Sequence, residues 1–214
     1  MANLITLSRL LLLILVVIIA YRPPSLLQLL NVPLLILVFV TDGLDGYVAR
    51  RRNETSQFGA MFDIAGDRIV ELTMWIVLAH LQLVPIWVPI VFVVRGTIVD
   101  AIRASQATSR RESPFALMAS PLGKWLVAGR FMRALYAVAK ATAFCWLLFL
   151  QPLPVVAPAL WADYGAIGVA VGEGLVLIAV ALCLVRGLPV IVEFAYSERR
   201  VILGSLLRPG LTGH

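Results

Sequence analysis

Apolar residues in this chain are gathered into long runs that are separated by short polar segments. The runs cover residues 4–20, 27–40, 58–84, 85–104, 122–150 and 164–185, and the second continues into a more polar stretch over 41–52. A helix crosses the hydrocarbon core of a bilayer with about 20 mostly apolar residues. The pattern therefore predicts an all-α integral membrane protein with six transmembrane helices.

The first and last segments each allow a second interpretation. A signal peptide carries its positive charge ahead of the apolar core, whereas Arg9 lies inside the first run, so we expect a transmembrane helix there. From residue 188 onward, charged and apolar residues are mixed as in an amphipathic helix on the membrane surface, and a disordered tail is the alternative. We predict a transmembrane domain over residues 1–187, followed by an interfacial helix and tail over 188–214.

The distribution of Lys and Arg predicts the orientation in the membrane. The chain is 61% hydrophobic and 14% charged, with a formal net charge of +6, and this composition excludes a separate soluble catalytic domain. Cytoplasmic loops carry the excess of Lys and Arg. The segments 21–26, 81–86 and 151–163 hold only Arg22, and arginine-rich connections alternate with them. We therefore expect both termini in the cytoplasm, and a lipid bilayer rather than nucleic acid as the partner of the basic charge.

Four of the twelve acidic residues fall within 26 positions, where the second predicted helix ends and the third begins: Asp42, Asp45, Asp63 and Asp67. Residues three or four positions apart share one face of a helix, so each pair projects in one direction. A short turn around residues 51–57 would bring the two pairs to one place. Charged groups in or beside a transmembrane helix are energetically costly, which makes them functional candidates.

The acid cluster predicts a metal site, because crowded carboxylates cannot all stay ionised unless cations lie between them. Hard oxygen ligands suit Mg²⁺ or Mn²⁺, above all where a substrate phosphate completes the coordination. Small residues interleave with the acids, which leaves backbone open to a ligand. The alternative is a set of helix-end ion pairs between the acids and the neighbouring arginines Arg50, Arg51 and Arg68.

The residues around these acids form a recognisable string. It reads Asp42-Gly-Leu-Asp45-Gly46-Tyr-Val-Ala49-Arg50, followed after eight residues by Gly59, after three by Asp63 and after three more by Asp67. This string resembles the signature of the CDP-alcohol phosphotransferases, Asp-x2-Asp-Gly-x2-Ala-Arg-x8-Gly-x3-Asp-x3-Asp, at every fixed position. The resemblance implies a homodimeric enzyme of the cell inner membrane, with a site open to the cytoplasm. Such enzymes move a substituted phosphate from a CDP-linked donor to an alcohol.

Carried over position by position, the resemblance assigns roles to individual side chains. The four aspartates would hold one or two Mg²⁺ or Mn²⁺ ions on the donor diphosphate, and Asp67 would also act as the base. The residues expected to face the cytidine nucleotide are Gly46, Arg50, Ser56 and Gly59, with Thr6 and Ser8 of the first helix. A covalent route would need an activated nucleophile, and both histidines, His80 and His214, lie away from the motif. We therefore expect direct displacement of CMP.

The acceptor alcohol is predicted from weaker features. The segments 3–9 and 41–50 look like those of the bacterial phosphatidylglycerophosphate synthases of this family, which use CDP-diacylglycerol and glycerol 3-phosphate. A phosphorylated acceptor needs fixed cations, and the expected set is Arg95, Arg103, Lys124 and Arg130. The segment 62–68 and Gly96 depart from those synthases and resemble phosphatidylinositol-phosphate synthases. Inositol phosphate or another polar alcohol is therefore the alternative acceptor.

Two other classes of membrane protein also use clustered acids. A UbiA-like prenyltransferase has two widely separated aspartate motifs, whereas the acids in the second half of this chain are scattered. A cation transporter would place acids at mid-membrane on several helices, whereas these acids are crowded at one end of two. The sequence therefore favours a phosphotransferase over both of these classes.

Overall fold

The computed structural model of the protein describes residues 2–52, 57–109 and 129–206. All regular secondary structure over these ranges is helical, which confirms the predicted all-α class for this part of the chain. Side chains are described for most of these residues, but not for those of 42–52.

Seven α-helices and one 3-10 helix make up the described ranges. In chain order they are α1 (Ala2–Ala20), the 3-10 helix (Leu26–Leu30), α2 (Asn31–Arg52), α3 (Gln57–His80), α4 (Trp87–Ser109), α5 (Arg130–Leu150), α6 (Leu153–Val156) and α7 (Pro158–Leu206). The chain breaks after α1 at Pro23 and Pro24, since proline cannot donate the backbone hydrogen bond that would continue a helix. Helix α2 extends through the acid-bearing stretch as far as Arg52.

Two described segments are long and apolar enough to cross a membrane, Phe131–Val156 and Pro158–Tyr196. Two shorter apolar segments, Thr6–Ala20 and Leu26–Thr41, lie in the first part of the chain. Together with the composition, these helices identify a membrane protein. The number of six spans and the orientation of the termini stay predictions.

Helix α7 is 49 residues long and contains Pro189 in its interior. Because proline has no backbone N–H, the carbonyl of Val185 loses its usual hydrogen-bond partner four residues further on. The segment 188–206, which we expected to lie on the membrane surface, is a continuation of α7. The division of the chain at residue 187 stays a prediction.

The helices form two compact units, and the first comprises Met1–Ile90 with Val138–Ala179. Within it α1 packs against α2 and α3. Trp75 of α3 meets Phe144 of α5 edge-on, with ring centroids 4.5 Å apart, and both side chains are buried. This aromatic contact joins α3 to α5 in the interior of the first unit.

The last turn of α1 is closed by two glutamine side chains of the same unit. Gln28 Nε2 donates to the carbonyl oxygens of Ala20 at 3.1 Å and Arg22 at 2.8 Å. Gln151 Nε2 donates to the Ala20 carbonyl at 2.7 Å. These bonds satisfy carbonyl groups that the end of a helix leaves without intrahelical partners.

The second unit comprises Val91–Ala137 with Val180–His214. Its described hydrophobic core is formed by Val99, Ile102 and Val190, with two partly buried side chains of α7 packed against it. This core joins α4 to the C-terminal part of α7.

Candidate active site

Helix α1 presents a buried stripe to its neighbours in the first unit. The members are spaced alternately three and four positions apart and are each at most 3% exposed: Thr6, Arg9, Leu13, Val16 and Ala20. Such spacing places residues along one face of a helix. The stripe is apolar in its last three members and polar in its first two, so the beginning of α1 buries groups that need polar partners.

The side chain of Thr6 packs against α3 at Gly66, where the absence of a side chain leaves room for it. A Cβ atom added at Gly66 would lie 2.9 Å from Thr6 Cγ2, closer than such atoms approach one another in proteins. Gly66 is itself buried. Glycine at this position therefore allows α1 to approach α3 directly beside Asp67.

Asp67 is held by Arg9, a residue that lies outside the signature. Arg9 Nη2 donates to Asp67 Oδ1 at 2.8 Å. The arginine side chain is 2% exposed, whereas the side chain of Asp67 is 54% exposed. The charge-assisted hydrogen bond orients the carboxylate of Asp67. Because the Asp67 side chain is half-exposed, its carboxylate is accessible to a substrate.

The three other acids of the cluster are placed by the backbone of α2 and α3. Asp42 and Asp45 are three residues apart in α2, and Asp63 precedes Asp67 by one turn in α3. Their side chains are not among those described, and the side chains that are described contain no group of three or more acids, histidines and cysteines that could hold a metal. The donor chemistry fits Mg²⁺ or Mn²⁺, because the set consists of carboxylates and includes the exposed Asp67.

Three of the residues expected to face the nucleotide have described surroundings. Thr6 is buried against α3, Gly59 is half-buried in the first turn of α3, and Ser8 is exposed on α1. Because Ser8 follows Thr6 by two positions, the two side chains lie on different faces of α1. Thr6 is thus the one that the structure places beside Asp67. Outside the described side chains lie Gly46, Arg50 and Ser56.

Among the expected acceptor cations, Arg95 of α4 has a described side chain, and it is buried in the second unit. It is 8% exposed, and its Cζ lies 5.9 Å from the ring centroid of Tyr136 in α5. Arg186 of α7 is 9% exposed and lies over the same ring, with its Cζ 5.1 Å from the centroid. The side chains of the other expected cations are not described: Arg103, Lys124 and Arg130.

Arg186 is a further buried cation, and sequence reasoning did not identify it as a site residue. It directly follows the last apolar run, where the distribution of Lys and Arg places it in a connection on the cytoplasmic side. The structure instead buries it within α7, directly before Gly187. A Cβ atom at Gly187 would lie 2.6 Å from both Cγ and Nε of Arg95, so glycine gives the Arg95 side chain its space. Two buried guanidinium groups at one ring provide the forked donors that suit a phosphate group. The signal in the sequence is an arginine followed by glycine where an apolar helix continues.

Comparison with known proteins identifies the family. Residues 1–185 match the family described as CDP-alcohol phosphatidyltransferase. The chain is 27% identical over 167 residues to the CDP-diacylglycerol--glycerol-3-phosphate 3-phosphatidyltransferase of Salmonella choleraesuis (strain SC-B67), and 28% identical over 167 residues to the protein of the same name from Escherichia coli (strain K12). Each alignment covers 77% of this chain and 81% of the relative. These matches favour a transferase of phospholipid biosynthesis over a prenyltransferase or a transporter, and the chain belongs to the CDP-alcohol phosphatidyltransferase family.

Proposed function

We propose that the protein transfers the phosphatidyl group of CDP-diacylglycerol to glycerol 3-phosphate and releases CMP. The observation that carries the proposal is the Asp67 carboxylate, which completes the signature, is held by Arg9 and is 54% exposed. The relatives from Salmonella choleraesuis and Escherichia coli are named for this donor and this acceptor. Inositol phosphate or another polar alcohol is the second candidate acceptor, and it is favoured by the segment 62–68 and Gly96.

Asp67 is the proposed base. In a direct displacement, the acceptor hydroxyl attacks the phosphorus of the phosphatidyl group, the bond to CMP breaks, and the hydroxyl proton passes to a carboxylate oxygen of Asp67. Arg9 orients this carboxylate through Oδ1. The proposed donor set for Mg²⁺ or Mn²⁺, which when bound supplies charge neutralisation at the diphosphate, is Asp42, Asp45, Asp63 and Asp67.

This proposal needs no covalent intermediate on the protein. His80 lies more than three turns beyond Asp67 in α3, about 20 Å along the helix axis. Its ring contacts that of Tyr21, with the centroids 5.5 Å apart. This histidine therefore stands too far from Asp67 to serve as a nucleophile at the same phosphorus.

The cytidine nucleotide is proposed to bind beside Thr6, whose side chain contacts α3 at Gly66. The close approach of the two helices at this glycine brings α1 next to Asp67, the proposed general base. A nucleotide bound there would present its diphosphate to Asp67. The other proposed nucleotide contacts are Ser8, Gly46, Arg50, Ser56 and Gly59.

The acceptor phosphate is proposed to bind Arg95 and Arg186. Both guanidinium groups are buried over the ring of Tyr136, and planar guanidinium groups bind phosphate oxygens in pairs. A phosphorylated acceptor would place its negative charge beside these two guanidinium groups, whereas a neutral alcohol would not. The remaining proposed acceptor contacts are Arg103, Lys124 and Arg130.

In the membrane, we propose a homodimer with six spans, both termini in the cytoplasm and the site open to the cytoplasm. The charge distribution supports the orientation, since Arg22 is the single Lys or Arg in the three connections expected outside. The six spans rest on the apolar runs, and the homodimer rests on the family resemblance. CDP-diacylglycerol would then enter from the inner leaflet of the cell inner membrane.

The test is product identification with the purified full-length protein in lipid vesicles. Labelled CDP-diacylglycerol and Mg²⁺ are offered with glycerol 3-phosphate, inositol 1-phosphate, inositol or serine in separate reactions. We expect phosphatidylglycerophosphate and an equal amount of CMP with glycerol 3-phosphate, and no turnover in EDTA. If a product forms only with inositol 1-phosphate, then inositol phosphate and not glycerol 3-phosphate is the acceptor. Turnover that persists in EDTA would contradict the metal-dependent chemistry.

A further inference from the structure

Glu71 is a buried acid that the signature does not include. It lies one turn beyond Asp67 on the same face of α3 and is 6% exposed. Its Oε1 accepts a hydrogen bond from Lys140 Nζ of α5 at 2.8 Å, and its Oε2 accepts one from Arg68 Nη1 at 3.0 Å. Both oxygens of the Glu71 carboxylate are therefore engaged by cations.

The two cations that Glu71 holds are also close to Asp67. Arg68 follows Asp67 directly in the chain, and the Nζ of Lys140 lies 2.8 Å from Glu71, one turn beyond Asp67 on the same face of α3. The side chains of Arg68 and Lys140 are 24% and 16% exposed, so water screens their charges less than it would on an open surface. If Glu71 carried no charge, the attraction of both cations to the carboxylate of Asp67, one turn away, would no longer be opposed by Glu71.

A second cation at Asp67 would interfere with the chemistry proposed for it. Arg9 already occupies Oδ1 at 2.8 Å. A further ammonium or guanidinium group would take up the exposed part of the carboxylate and would repel a divalent ion approaching the acids of α3. The position of Glu71 prevents this, because it draws Arg68 and Lys140 one turn further along the helix.

We propose that Glu71 is a positioning residue that keeps Arg68 and Lys140 away from Asp67, so that the acidic face of α3 stays available to a divalent cation. The inference rests on the proposed function, because it takes Asp67 to be a metal ligand. Glu71 itself acts through the two cations and takes no part in the ligand set.

A purely structural tie between α3 and α5 is the competing explanation. In that case the loss of either partner loosens the same contact, and metal binding changes in the same direction in both variants or not at all. The positioning role predicts instead that metal binding weakens in Glu71→Gln and does not weaken in Lys140→Gln. Glu71→Gln removes the negative charge that draws both cations away from Asp67 and weakens metal binding, whereas Lys140→Gln removes one cation while Glu71 still binds Arg68.

The experiment is a Mn²⁺ titration of the purified full-length protein in detergent micelles, with the free ion followed by electron paramagnetic resonance and no substrate present. Glu71→Gln is expected to raise the Kd for Mn²⁺ by roughly tenfold, and Lys140→Gln to leave it unchanged or lower it. Glu71→Asp keeps the charge but shortens its reach, so it too should raise the Kd. Glu173→Gln, which removes an exposed acid of α7, is the matched control and should bind Mn²⁺ as the wild type does.

Each other outcome counts against the inference. Equal weakening in Glu71→Gln and Lys140→Gln would mark the pair as structural, while the proposed function would stand. Wild-type affinity in Glu71→Asp would show that charge alone matters and that positioning does not. Thermal unfolding in the same micelles identifies any variant that fails to fold, and if Glu71→Gln does fail, the other two variants decide. A wild-type protein that binds no Mn²⁺ would overturn both the proposed function and this inference.

Discussion

Arg9 of α1 and Asp67 of α3 form a 2.8 Å ion pair in which the cation is buried and the acid is half-exposed. Arg9→Gln removes the charged donor that orients the carboxylate. A hydrogen bond to a charged group contributes about 1.5–3 kcal/mol, so we expect kcat to fall by roughly 10- to 100-fold with little change in donor KM. Steady-state kinetics over both substrates measure this. Arg22→Gln, at an exposed position beyond α1, is the control, and a loss confined to donor KM would instead make Arg9 a donor-binding residue.

Asp67→Asn preserves the shape of the side chain and removes its basicity. If Asp67 is the base, turnover should fall by roughly 100- to 10,000-fold, while CDP-diacylglycerol still binds in the presence of metal. Asp42→Asn, a change at a proposed ligand only, should weaken donor binding itself. Donor Kd and single-turnover rates in the two variants separate the roles. Equal losses of donor affinity would show that Asp67 is chiefly a ligand.

Gly66→Ala should push α1 away from α3. The added Cβ would lie 2.9 Å from Thr6 Cγ2, and overpacking of this kind costs about 1–3 kcal/mol, which exceeds the gain of about 1 kcal/mol in helix propensity. We expect a lower unfolding temperature and a fall in kcat. Thr6→Ser removes the obstructing methyl and keeps the hydroxyl, so the Gly66→Ala/Thr6→Ser variant should recover both.

Gly174→Ala supplies the control for this substitution. A Cβ at Gly174 of α7 meets nothing within 4 Å, so the change should be neutral or slightly stabilising through helix propensity. If Gly66→Ala behaves like Gly174→Ala in thermal unfolding and in kcat, the approach of α1 to α3 is not tight at this point.

Arg186→Gln should weaken the acceptor site selectively. Removing one of the two guanidinium groups over Tyr136 is expected to raise the KM for glycerol 3-phosphate by roughly 10- to 100-fold and to leave the KM for CDP-diacylglycerol unchanged. Arg133→Gln, an exposed change on α5, is the control. Should turnover with a phosphate-free alcohol drop by the same factor, Arg186 supports the fold and does not bind phosphate.

The long helices could be predicted from the sequence because each is built on an apolar run of the length that a membrane or a buried core requires, whereas the 3-10 helix and the four-residue α6 were not predicted. A helix from residue 188 onward was also predicted, but its continuity with the preceding helix was not, since the predicted run ends before Arg186 and a charged residue interrupts the hydropathy pattern. In the structure Arg186 is buried and the helix continues past Pro189 to Leu206. Hydropathy does not distinguish a charge that is buried over an aromatic ring from one in a loop.

The sequence predicted only those features of the candidate site that depend on the spacing of residues within one helix or within the signature. The signature identifies Asp67 through residues along α2 and α3, and its role as the base stays a prediction. Its partner Arg9 is 58 positions away, and the partners Glu71 and Lys140 are 69 positions apart. Spacing rules within one helix extend over three or four residues, so such pairs need the packed structure.

The stripe of α1 also constrains how the chain is made. Helix α1 is synthesised before α2 and α3, and it carries an arginine on the face that will be buried. An arginine in a lone transmembrane helix is costly and turns toward the membrane surface. Its acidic partner arrives only when synthesis has passed residue 67, after α2 has been completed. Arg9 therefore has no access to the carboxylate of Asp67 until α3 has been made, and the aspartate proposed for catalysis is also the group that pairs with α1 during biogenesis.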